Sequence, residues 1–168
     1  LVQQIARTFG APDFRWAHRT EDRGALWQAR HDALYAALAL KPGAVAWSTD
    51  CCVPLSKLAD CIAETRSDIE ESGLLAPIVG HVGDGNFHAI FLIDPDKPAE
   101  WDAARWINDR MVLRAIEMEG TCTGEHGVGI GKRGYLAAEH GEALDVMRTL
   151  KQALDPGNLM NPGKLLPD

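Results

Sequence analysis

The sequence predicts an α+β layer, with helices packed on one face of a mostly antiparallel sheet. Three observations lead there. Long stretches with helical apolar spacing end at glycines, only three short stretches read as strands, and two of those strands flank Asp84-Gly85, a strong hairpin signal. So few strands make a poor sheet alone, so further strands are expected upstream of Leu1, and the layer is expected to be truncated at its N-terminus.

The elements follow in order. Residues 1–10 read as the last turns of a helix stopped by Gly10, and residues 11–18 as a loop. Residues 21–40 carry one helix, ended by Lys41-Pro42-Gly43, and residues 44–50 form a short strand. A helix begins at Pro54 and ends at Gly73, the usual asymmetry of helix ends. Residues 76–82 and 86–94 are the hairpin strands, and residues 98–120 are a long amphipathic helix stopped by Gly120. Residues 120–134 form a glycine-rich loop with neither period. Residues 135–155 are helix again, followed by a Pro/Gly tail.

Composition narrows the function classes. A length of 168 residues fits one domain, 1–168, and 46% apolar residues supply a sizeable core. A net charge of −7 without a Lys/Arg run argues against nucleic acid as a partner. No apolar stretch approaches a membrane span. The opening LVQQIARTFG has neither an initiator Met nor a signal peptide's charged start, and reads as an internal start in a longer protein. Cys51, Cys52, Cys61 and Cys122 form no C-x-x-C pair, which suits a reducing compartment.

Chemistry concentrates in GHVGDGNFH, residues 80–88. A two-residue type I′ turn at Asp84-Gly85 sets His81 directly opposite His88, their Cβ atoms roughly 4.5–5.5 Å apart. Two imidazoles so placed can share one divalent ion. The plain alternative is a polar cross-strand pair facing water. Glu125-His126, between Gly124 and Gly127, could add a carboxylate ligand and a general base, or could be a solvated surface loop. Gly129, Gly131 and Gly134 spell a G-x-G-x-x-G with Asp155 about twenty residues on. We reject a dinucleotide site there, because no strand precedes the glycines and Asp155 ends a helix. Arg30 falls within the apolar stripe Leu26, Trp27, Ala33, Leu34, Ala37 and Leu38. On that face it is placed to grip a carboxylate, to form an internal ion pair, or to snorkel at the stripe's edge.

LWQARHDALYAAL, STDCCVPLSKL, IVGHVGDGNFH, GTCTGEHGVGIGKRGYL and ALDPGNLMNPGKLL together resemble the C-terminal cap of FAD-linked D-2-hydroxyacid dehydrogenases and oxidases. These belong to the vanillyl-alcohol-oxidase-like flavoproteins, and the resemblance is to the D-lactate dehydrogenase (cytochrome) and glycolate oxidase FAD-subunit group. It covers nearly the whole chain.

The resemblance implies a ferredoxin-like cap whose FAD is held mainly by an N-terminal domain outside this chain, so that the fragment alone is inactive. It implies His81, His88 and Glu125 as ligands of a divalent metal (zinc, manganese or iron), His126 as catalytic base, Arg30 as the substrate-carboxylate anchor, and Asn161 as a residue facing the flavin. The implied partners are a small 2-hydroxy acid, the FAD-binding domain, and an electron acceptor such as a cytochrome, a quinone or another flavoprotein. A homodimer is left open by the sheet edge, and the location implied is cytoplasmic or peripheral on the inner membrane. D-2-hydroxyglutarate enzymes of this family carry Asn two residues after the second histidine and Lys near STD. Ile90 and Ser48 stand there, which favours a monocarboxylate such as D-lactate or glycolate. A non-catalytic metal-binding domain and a metal-dependent hydrolase remain alternatives on the residues alone.

Overall fold

The computed structural model describes residues 1–10 and 16–167. Most of the loop expected at 11–18 therefore lies outside the described residues. The described chain forms two compact units, Leu1–Leu40 and Lys41–Asp168.

The first unit holds α1 (Val2–Thr8), α2 (Thr20–His31) and α3 (Ala33–Ala39). The single helix expected over 21–40 is divided at Asp32. The Gln28 amide donates to its carboxylate at 3.0 Å, and the backbone there opens to φ −84°, ψ −3°. Short polar side chains that accept locally favour such breaks. The apolar stripe is not buried: Leu26, Trp27 and Leu34 are exposed, and Ala37 is the one buried residue of the two helices. The expectation that Arg30 sits on a buried face is thus corrected.

The second unit is built on a three-stranded antiparallel sheet in the order β1 (Val45–Cys52), β3 (Asn86–Ile93), β2 (Ile78–His81). β3 is central and buried at every position, in keeping with its nearly continuous apolar run. α4 (Leu55–Ser72) and α5 (Pro98–Glu117) cover one sheet face. Cys51, Phe87, Ala89, Phe91 and Ile93 pack there with Leu58, Cys61, Ile107 and Met111. Arg114 of α5 donates to Glu64 at 2.7 Å, Thr65 at 3.0 Å and Asp68 at 2.6 Å of α4, fixing the helix pair. The other face carries Asn86, His88, Ile90 and Leu92, because successive strand residues alternate.

The C-terminal stretch is more broken than expected. α6 (Gly129–Lys132) forms one turn inside the glycine loop. The helix expected over 135–155 becomes α7 (Leu136–His140) and α8 (Ala143–Leu154), interrupted at Gly141.

Candidate metal centre and active site

The two histidines reach one place by a different register from the one expected. β2 pairs with β3 as His81↔Asn86 and Val79↔His88, so the histidines are diagonal rather than directly opposed. A two-residue type I′ turn needs positive φ at both central positions. Here Gly85 has φ +75° while Asp84 is not left-handed, and Val82–Asp84 form a single 3₁₀ turn. The turn is tied to the end of β1: Val53 N–H donates to the Gly85 carbonyl at 3.0 Å, and the Cys52 thiol to the Asp84 carbonyl at 3.3 Å. A Cβ on Gly85 would lie 2.0 Å from the Val53 carbonyl oxygen, so this close approach admits only glycine. Diagonal residues still share a face, and the imidazole centroids are 6.0 Å apart.

Glu125 closes the cluster. Its Oε1 lies 3.3 Å from His81 Nε2 and 3.5 Å from His88 Nε2. One ligand atom from each of the three residues falls within 4.8 Å of the others. Ligands about 2.0–2.1 Å from a tetrahedral cation stand about 3.3 Å from one another, so the donor types and spacing fit a divalent ion. His126 is adjacent, its ring centroid 5.3 Å from that of His88. The His126 side chain is 67% exposed and that of His88 only 10%, which suits a proton acceptor at the rim and a ligand at the base. Burial pushes the His88 imidazole below its ordinary value, against the pull of Asp50 and Glu125. It therefore favours the neutral ring that a metal requires.

The loop carrying Glu125 and His126 is held from β1. Asp50 pairs with His88 across the sheet. Its Oδ2 accepts the Gly124 N–H at 2.9 Å and the Glu125 N–H at 3.1 Å. A Cβ on Gly124 would meet Asn86 Oδ1 at 2.2 Å and Asp50 Oδ2 at 2.7 Å, which explains glycine at that position. Lys132 is buried, and its ammonium donates to the Asp50 and Cys122 carbonyls, with Asp50 Oδ1 at 3.4 Å. Asp50 and Lys132 escaped the sequence reading. The available signal was a charge in the middle of a short strand and a lysine within a glycine loop.

A cavity of about 320 Å³ beside the cluster is lined by Ser48, Asp50, Asn108, His126 and Lys132 among others. Ser48 and Ile90 are cross-strand partners in the β1–β3 register, so the two positions expected to lack a grip on a second carboxylate lie side by side. Arg30 belongs to the first unit. Its guanidinium sits 5.8 Å from the Trp27 ring centroid and lines a cavity of about 290 Å³ with Arg23 and Trp27. Asn161 is not brought to the histidine cluster. It has φ +49° and lines a separate cavity with Arg148, Lys151 and Asn158. Asp155, the acidic residue of the rejected fingerprint, accepts the Leu159 and Met160 amides and so caps the tail.

The family model for FAD linked oxidases, C-terminal domain, matches residues 1–165. The chain belongs to this family. The FAD-linked oxidase C-terminal domain described here is 51% identical over 167 residues to "Probable D-lactate dehydrogenase, mitochondrial" of Danio rerio, covering 99% of this chain and 34% of that protein. It is 34% identical over 165 residues to "Glycolate oxidase subunit GlcD" of Bacillus subtilis, covering 98% of this chain and 35% of that protein. The chain thus spans about a third of the length of these relatives. A solved structure of 4-ethylphenol oxidase from Gulosibacter chungangensis, in its isoeugenol complex, shares the fold with a TM-score of 0.62 at 19% identity, over 99% of this chain and 36% of that one. No helix of the described residues is long and apolar enough to cross a membrane.

Proposed function

We propose that this domain is the substrate-handling part of an FAD-dependent dehydrogenase that oxidises a small D-2-hydroxy acid, D-lactate or glycolate, to the 2-oxo acid. The convergence of His81, His88 and Glu125 within 4.8 Å, with His126 alongside, carries the reading. The two relatives named for D-lactate and glycolate support the substrate class.

On this reading Arg30 pairs with the substrate carboxylate through parallel hydrogen bonds, oriented by the Trp27 ring beneath its guanidinium. His81, His88 and Glu125 hold a divalent cation. When bound, that cation supplies Lewis-acid polarisation of the substrate hydroxyl, and FAD, held outside this chain, supplies the two-electron acceptor. His126 removes the hydroxyl proton as the C2 hydrogen leaves with its electron pair, which yields the 2-oxo acid. Ser48 and Ile90 offer no cation or amide to a second carboxylate, and Lys132 and Asn108 of the same cavity are engaged with Asp50, Cys122, Thr49 and Tyr135, which supports a monocarboxylate. The flavin is reoxidised by a cytochrome, a quinone or another flavoprotein, and the mitochondrial name belongs to the Danio rerio relative.

The test is anaerobic flavin bleaching by D-lactate, glycolate and D-2-hydroxyglutarate in the flavoprotein that carries this chain. D-lactate or glycolate should bleach the flavin fastest. His126→Ala should slow bleaching at saturating substrate by about 10²–10⁴-fold, whereas Arg30→Ala should mainly raise the substrate concentration needed. Equal bleaching rates for wild type and His126→Ala would remove His126 from the mechanism. No bleaching by any 2-hydroxy acid would defeat the reading.

A further inference from the structure

We propose that Asp50, with Lys132 as its buried counter-charge, is the positioning residue that locks the Glu125–His126 segment against the histidine hairpin. This rests on the metal-clamp reading for its consequence, but its geometry stands on separate contacts. Asp50 is 4% exposed, and a buried carboxylate is retained only when its oxygens are occupied. Both are: Oδ2 by the Gly124 and Glu125 amides, Oδ1 by the Lys132 ammonium. Lys132 bridges the same strand residue to the Cys122 carbonyl at 2.6 Å. The loop is therefore pinned to one residue of β1 at three backbone positions, 122, 124 and 125.

Asp50 also sets the other half of the cluster, since it is the cross-strand partner of His88. One residue thus links a ligand on β3, through its backbone register, to a ligand on the loop, through its side-chain hydrogen bonds. Its carboxylate lies within 4.8 Å of the His88 and His126 ring nitrogens, so a direct ligand role is the rival reading. The two roles are separable. An amide oxygen can still accept the two loop N–H groups, but it is a far weaker metal ligand than a carboxylate.

The experiment uses the flavoprotein that carries this chain, loaded with zinc, as wild type, Asp50→Ala and Asp50→Asn. Zinc loss to a chelator and amide exchange over residues 121–127 are followed together, with flavin content as the control for folding. Outer-shell partners of metal ligands typically change affinity about 10–100-fold. Asp50→Ala should therefore shed zinc about 10–100-fold faster, with faster exchange at Gly124 and Glu125. Asp50→Asn should lie between it and wild type. Zinc retention and exchange in Asp50→Ala equal to wild type would overturn the proposal. Equal zinc loss from both variants with unchanged exchange would make Asp50 a ligand, and would overturn it too. If the wild type binds no zinc, the clamp reading fails. The pinning role is then decided by exchange alone, with unchanged exchange counting against it. Should Asp50→Ala not fold, Lys132→Met replaces it, and faster exchange over Cys122–Glu125 is the expected result.

Discussion

Glu125 meets His81 and His88 through the same oxygen, so a displacement of its backbone by little more than an ångström breaks both contacts. That backbone is closely confined at Gly124. Gly124→Ala would push a methyl into Asn86 and Asp50, an overpacking that should cost about 1–3 kcal/mol in urea unfolding. The variant should lose bound metal well before it loses its fold. Asp155 gives a test unrelated to the site. Lys151 first, then the Leu159 and Met160 amides, hold its carboxyl at about 2, below the ordinary 3.8. Its stabilisation is therefore complete above about pH 4 and lost as pH falls towards 2. Asp155→Asn should unfold more readily than wild type at pH 5, and fluorescence-monitored unfolding should show that gap closing by pH 2. The candidates that converge, His81 with His88 and Glu125 with His126, were legible because each pair stands in a short stretch rich in such chemistry. Asp50 was not, because its role depends on a loop more than seventy residues away returning to its strand.

At the scale of elements, glycine stops and apolar periodicity located α4, α5 and the three strands, because each buries a regular face against the next. Gly73, left-handed at the end of α4, terminates that helix where the sequence placed its end. The two-residue turn that Asp84-Gly85 predicts does not form, and the register is His81↔Asn86. The turn is instead shaped by its hydrogen bonds to Cys52 and Val53, a tertiary influence that no local pattern carries. The divisions at Asp32 and Gly141 were likewise hidden within stretches of continuous helical spacing. The α4–α5 pair is joined by Arg114, which is buried and donates from Nε, Nη1 and Nη2 to Glu64, Thr65 and Asp68. Removing one partner of a buried pair costs about 3–5 kcal/mol. Arg114→Met should fall at the lower end in chemical denaturation, because Arg110 still faces Asp68 at 2.8 Å. Retained stability in that variant would show that apolar packing alone joins the helices.

Across the whole molecule the core belongs to residues 41–167, where β3 is buried at every position. The helices of residues 1–40 bury almost nothing of their own. In this chain alone, amides of α2 should therefore exchange on the order of a hundredfold faster than those of β3. Comparable protection in both would mean that the first unit is stabilised by more than its own helices. The α+β layer and the antiparallel hairpin were readable from pattern. The exposure of the Arg30 stripe was not, because amphipathic spacing records which face wants burial and not what covers it. The central claim is that His81, His88 and Glu125 form a divalent metal clamp. Its most direct test is the metal content, by mass spectrometry, of the purified protein containing this chain and of its His88→Ala variant. The account predicts about one equivalent of a divalent metal in the wild type and its loss in the variant. Equal metal in both, or none in the wild type even after zinc or manganese is supplied, would contradict it.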